Sequence, residues 1–122
     1  MKLDVNENTF TITLEGWERF WACKIEPVVV DCKNIREVSL QEPTFDWRTL
    51  RAPGTSIPTF FHAGTFYSRL GKEFWYFEMK QKKLTIFLDD GPYKRIIIVP
   101  DELQKWYDIL NGLVEKNTNR RS

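Results

Sequence analysis

The sequence predicts an α+β fold: a mostly antiparallel β domain, bent into a sandwich or barrel of about seven strands and capped by one C-terminal α-helix. Three observations predict it. Apolar residues alternate at period two through much of the chain before Pro100, turn-forming residues punctuate those runs, and after Pro100 the apolar period becomes that of a helix. The 122 residues suit one domain. Its ordered core is expected over about residues 9–115, with a polar tail at 117–122.

The first strand is Thr9-Phe10-Thr11-Ile12-Thr13-Leu14, whose alternation puts Phe10, Ile12 and Leu14 on one face. Glu15-Gly16 breaks the run, and residues 20–25 resume it, so a hairpin with Gly16 in the turn is expected. Val28-Val29-Val30 is short and β-branched, and Val38 and Leu40 keep strand spacing within residues 34–40. Between Gln41 and Gly64 the periodicity disappears among Pro43, Pro53, Pro58, Gly54 and Gly64, and a long packed loop, with or without short strands, is expected there. Pattern returns at 65–69, and Leu70-Gly71-Lys72 forms a turn. Glu73-Phe74-Trp75-Tyr76-Phe77-Glu78 then reads as a strand with aromatic residues on both faces. Lys80-Gln81-Lys82-Lys83 is the next turn, residues 84–88 the next strand, Asp89-Asp90-Gly91-Pro92 a reverse turn and residues 93–99 the last strand, giving an antiparallel meander. Leu103, Trp106, Tyr107, Leu110, Leu113 and Val114 then form one helical stripe, with Trp106 and Tyr107 turned inward. Asp101 is placed to cap this helix, with Gln104 at the capping-box position.

Composition narrows function. A net charge of +1 lacks the cationic excess that meets phosphate in an obligate nucleic-acid binder. The opening Met1-Lys2-Leu3-Asp4-Val5-Asn6-Glu7-Asn8 lacks the apolar run of an export signal, and Ile96-Ile97-Ile98-Val99 is far too short to span a bilayer. Cys23 and Cys32 supply neither a disulfide framework nor a zinc ligand set, so they read as reduced, half-buried thiols. A cytoplasmic protein without cofactor or metal is the expectation. Aromatic residues make up 15% of the chain; Phe10, Phe20, Phe74, Tyr76, Trp106 and Tyr107 are expected to fill the core and seat the helix, and Phe45, Trp47, Phe60 and Phe61 to serve as loop anchors or as a contact surface.

Few residues suggest chemistry. His62 stands alone in Phe60-Phe61-His62-Ala63-Gly64, with no evident nucleophile and orienting group, and reads as a packed loop histidine. Gly54-Thr55-Ser56 lacks both the nucleophile-elbow and the phosphate-cradle patterns and reads as a turn cap. Asp46, Glu73, Asp89 and Asp90 have no spacing that compels a metal pair. Lys80, Lys82 and Lys83 read as a solvated tip that would also suit an anionic surface. The richest cluster is Asp46-Trp47-Arg48-Thr49-Leu50-Arg51-Ala52-Pro53-Gly54-Thr55. Its guanidinium groups suit a carboxylate or phosphate, or they pin the loop by pairing with Asp46 or Glu73 and stacking on a ring.

Several segments resemble a family of small bacterial proteins with a pleckstrin-homology-like fold: Leu14-Glu15-Gly16-Trp17-Glu18-Arg19-Phe20-Trp21-Ala22, Asn34-Ile35-Arg36-Glu37-Val38, Leu50-Arg51-Ala52-Pro53-Gly54-Thr55, Ala63-Gly64-Thr65-Phe66-Tyr67, Glu73-Phe74-Trp75 and Tyr93-Lys94-Arg95-Ile96-Ile97-Ile98-Val99. The resemblance implies a bent sandwich of about seven strands with a C-terminal helix, and carries no established activity. Better-known members of that fold bind phosphoinositides through a basic first hairpin. The corresponding turn here, Glu15-Gly16-Trp17-Glu18-Arg19, is more acidic than basic.

The expected function is therefore a non-enzymatic binding or interaction domain using the 45–62 loop. Trp47, Arg48, Arg51, Thr55, Phe60 and His62 are its candidate contact residues. Its partner is expected to be a protein, and exposed aromatics would also suit a homodimer. A small-molecule or anionic-lipid binder using the sandwich mouth or the lysine turn is the alternative, and a hydrolase-type enzyme built on His62 ranks last.

Overall fold

The structure, a computed structural model, describes residues 1–16, 26–41, 50–57, 61–68, 71–78 and 80–121, with backbone alone at 50–57, 61, 68 and 118–121. Nine strands and one long helix lie among the described residues. The strands are β1 (Lys2–Val5), β2 (Thr9–Thr13), β3 (Val28–Asp31), β4 (Ile35–Ser39), β5 (Leu50–Ile57), β6 (Phe61–Ser68), β7 (Gly71–Glu78), β8 (Leu84–Leu88) and β9 (Arg95–Ile98). A 3₁₀ turn at Cys32–Asn34 joins β3 to β4, and the helix, α1, spans Leu103–Arg121. The fold is α+β in two sheets, ordered β1-β2-β3 and β4-β8-β9-β7-β6-β5, and no closed barrel forms among the described residues.

The small sheet follows from alternation. Phe10 and Ile12 on β2 and Val28 and Val30 on β3 all point into the core. β1 was not expected; Leu3 and Val5 flank Asp4 at strand spacing, and β1 pairs antiparallel with β2 from Lys2↔Thr13 to Val5↔Phe10. Both sides of β2 are thus paired, with β1 and with β3, and the hairpin partner expected at 20–25 lies outside the described residues.

The large sheet corrects two expectations. The expected 41–64 loop contains all of β5 and the start of β6, paired from Leu50↔Tyr67 to Ile57↔Phe61, with a register shift between Arg51 and Gly54. Pro53 and Gly54 hide the strand from a periodicity search, and a strand holding both is tolerated where this one lies, at a sheet end with an irregular ladder. The expected β7–β8 hairpin is also absent. β9 lies between them, parallel to β7 and antiparallel to β8. Four successive buried residues, Arg95-Ile96-Ile97-Ile98, give β9 an interior strand's composition, because an interior strand of a sheet covered on both sides buries both of its faces.

Alternation then divides the sheet's side chains between two layers. Phe74, Ile96, Ile98, Leu84 and Ile86 join the small sheet and Leu110 of α1 in the main core. Phe66, Trp75, Phe77 and Ile97 form a second cluster on the other face. Of the aromatic residues expected in the core, Phe10 and Phe74 are fully buried, and Tyr76, Trp106 and Tyr107 pack partly buried against it. Phe20 lies outside the described residues.

α1 lies against β4 and the 3₁₀ turn. Its first turn is closed by Trp106 N–H donating to the Glu102 carbonyl, which puts the cap position at Glu102, one residue after the expected Asp101. The helix also runs through the expected tail, because Asn117 is buried and tied to the 3₁₀ turn.

Candidate functional site

Two places combine polar chemistry with a defined geometry: the second face of the large sheet, and a cleft beside α1. Register builds the first. Glu73 on β7 lies between Phe66 on β6 and Arg95 on β9, and the next row places Trp75 between Gly64 and Ile97. Two buried donors converge on one carboxylate oxygen: Arg95 Nε donates to Glu73 Oε1 at 2.6 Å and Trp75 Nε1 donates to the same atom at 2.9 Å. A buried ion pair is held when hydrogen bonds satisfy it, and here the indole supplies one. The Trp75 ring stacks on Phe66 with centroids 4.3 Å apart.

His62 occupies the next row, in register with Phe77. It is a strand residue, not a loop residue, only 3% exposed, with its ring centroid 5.4 Å from Phe77, 5.9 Å from Trp75 and 6.4 Å from Phe66. Three aromatic neighbours and near-complete burial make it part of the packing. It does not belong to an exposed contact strip. Lys83 corrects a second expectation: it is 1% exposed, its Nζ donates to the Gln81 carbonyl at 3.0 Å, and the ammonium sits 5.4 Å from the Phe77 ring centroid. Of the expected cationic tip, only Lys80 and Lys82 are exposed.

The remaining sequence candidates divide by place. Trp47, Arg48 and Phe60 lie outside the described residues, as does Asp46. Arg51 and Thr55 are on β5, the end strand of the large sheet among the described residues. Arg51 is in register with Phe66, the neighbour of Glu73, so the strand order brings it to the row of the buried carboxylate. Thr55 is in register with Ala63, and Ser56 with His62.

The cleft lies where the β1–β2 turn, the 3₁₀ turn and the second half of α1 meet, and has a volume of about 800 Å³. The Asn6 side chain shapes the turn: its Oδ1 accepts from the backbone N–H of Asn8 and of Thr9, both at 2.8 Å, and from Thr9 Oγ1 at 3.2 Å. The Asn8 carbonyl accepts from Cys32 N–H at 2.9 Å, fastening the 3₁₀ turn to the hairpin. Cys32 is a free, buried thiol. Burial, and after it the Asp31 carboxylate, pushes this thiol above its ordinary value. Across the cleft, Asn117 Nδ2 donates to the carbonyls of Cys32 at 2.8 Å and Ile35 at 3.2 Å. Only the amide nitrogen can donate to two carbonyls, so this pair of bonds fixes the amide's orientation.

Sequence reasoning singled out Glu73 as a pairing residue but missed Arg95, which strand order alone brings beside it. It also missed Asn6 and Asn117. For Asn6 a signal existed, since Asn followed three residues later by Thr before an alternating run is an Asx-turn pattern. For Asn117 there was none, because a polar residue near a helix end reads as solvated until its partner 85 positions away is known.

Among the described residues no group of three or more His, Cys, Asp or Glu side chains is placed to hold a metal, and no helix is long and apolar enough to cross a membrane. Comparisons with protein-family models, with curated proteins and with solved structures returned no match.

Proposed function

We propose that this chain is a non-enzymatic binding domain on a pleckstrin-homology-like scaffold, whose contact strip runs along β5 and the segments that flank it. The observation that carries the reading is the position of β5, the element holding Arg51 and Thr55, at the end of the six-stranded sheet among the described residues, with a register break between Arg51 and Gly54. An end strand offers backbone donors and acceptors as well as side chains to a partner, and bulges are over-represented at sheet edges and binding sites. The opposite end strand, β4, is covered by α1. Two sheets with a C-terminal helix support the scaffold, while the parallel β7–β9 pair and the six-stranded sheet depart from an all-antiparallel sandwich of about seven strands.

His62 leaves the contact strip in this reading, and its aromatic packing supports a structural role over a hydrolytic one. Affinity capture with wild type and with the double variant Arg48→Ala/Arg51→Ala, both shown folded by circular dichroism, tests the proposal. A partner retained by wild type and lost by the variant is expected; equal recovery by both would remove these arginines from the site. A second reading, small-molecule binding, is favoured by the cleft beside α1. The anionic-lipid form of that reading loses Lys83 as a surface cation.

A further inference from the structure

We propose that the cleft between the β1–β2 turn and the second half of α1 binds a short zwitterionic peptide with aliphatic side chains. The site is distinct from the β5 strip and shares no residue with it. Its volume, about 800 Å³, falls within the range of small-ligand sites, roughly 300–1,000 Å³, and exceeds what a single amino acid would fill.

Three features of the walls select the ligand. The first is Asn117, nine-tenths buried at the cleft wall. Its amide nitrogen is committed to two carbonyls, and no hydrogen bond to its oxygen exists among the described residues, so the oxygen is a fixed acceptor that a ligand N–H can meet. The second is charge. The β1–β2 turn carries Glu7, the helix side carries Lys116, the end of β3 carries Asp31 and the 3₁₀ turn carries Lys33, so the acids and lysines of the lining cancel. A ligand with one net charge gains on one wall what it loses on another, whereas a zwitterion sets its ammonium toward Glu7, Asp31 and the Asn117 oxygen and its carboxylate toward Lys116. The third is the floor. Ile109 and Leu113 lie one helical turn apart and half-buried, an apolar strip that an aliphatic side chain can cover.

The experiment titrates ¹⁵N-labelled protein with trileucine, and separately with trileucine acetylated at its N-terminus and amidated at its C-terminus, each to about 10 mM. Free trileucine is expected to give saturable shifts at the Asn117 side-chain amide and at the Ile109 and Leu113 backbone amides, with a Kd of roughly 10 μM to 1 mM. The blocked peptide is expected to bind about tenfold more weakly or worse. Lys116 is exposed, so Lys116→Glu keeps the fold and is expected to weaken free trileucine by a similar factor. Absence of saturable shifts, shifts centred away from the cleft, equal affinity for the blocked peptide, or an unchanged Kd in Lys116→Glu would each overturn the proposal.

Discussion

Removing Glu73 is expected to destabilise the domain more than any surface change. Arg95 Nε lies 2.6 Å from Glu73 Oε1 with both residues almost inaccessible, so the charge centres are roughly 4 Å apart. At an effective dielectric of about 20, that separation corresponds to an attraction of about 4 kcal/mol, much of it offset by the cost of taking both ions out of water. Breaking such a pair from one side leaves a buried guanidinium without its counter-charge, and the Trp75 indole loses its acceptor in the same step. Glu73→Ala should therefore cost about 3–5 kcal/mol. Glu73→Leu/Arg95→Met, which removes both charges and keeps apolar volume, should cost clearly less than the sum of its single variants. Urea unfolding of wild type, both single variants and the double variant gives the coupling directly. Additive costs, or a loss below about 1 kcal/mol for Glu73→Ala, would refute the reasoning, since they would mean that Arg95 does not depend on the Glu73 carboxylate.

The folded chain holds the Cys32 proton at pH values where the unfolded chain has released it, so the thiol's contribution is fully present below the ordinary thiol range and is lost as pH rises through the raised folded value. The stability gap between wild type and Cys32→Ala should accordingly shrink between about pH 7.5 and pH 10, measured by urea unfolding; a constant gap would exclude the effect. Asn117→Ala removes both bonds to the 3₁₀ turn and should cost about 1–3 kcal/mol, with faster hydrogen exchange confined to the last turns of α1 and the start of β4. Gly71 has φ +129°, and a Cβ there would stand 2.9 Å from Lys94 Cγ. Because Lys94 is exposed and can move aside, the backbone term should dominate. Gly71→Ala should cost about 1–3 kcal/mol in thermal melts, and adding Lys94→Ala should recover less than half of it.

What the sequence made legible follows the strength of local pattern. β2, β3, β8 and α1 each carry a periodic apolar set that has one reading, and they appear close to where periodicity puts them. β5 was illegible because Pro53 and Gly54 erase alternation in a strand whose place at a sheet end and whose register break tolerate both. The position of β9 was legible in principle: three consecutive isoleucines bury both faces, which a meander's last strand would not require. The site depended on non-local facts. Glu73 and Arg95 are 22 positions apart and meet only through the parallel pairing, and Lys83 looks like a solvated turn residue until the Phe77 ring is placed beside it.

β9 joins two otherwise separate parts of the large sheet, β4-β8 on one side and β7-β6-β5 on the other. Every ladder between those parts runs through Arg95–Ile98, late in the chain, so the hairpins on the β5 side can form early but the six-stranded sheet cannot close until that strand arrives. Closure also needs the β7 partner 22 positions upstream, a loop whose entropy is lost before the buried isoleucines repay it. Folding should thus show a fast phase that leaves Trp75 exposed and a slower one that quenches or shifts its fluorescence as β9 inserts. In that slower step the two parts become one cooperative unit, and a chain stalled before it would display two unpaired strand edges, of β8 and β7, to its neighbours.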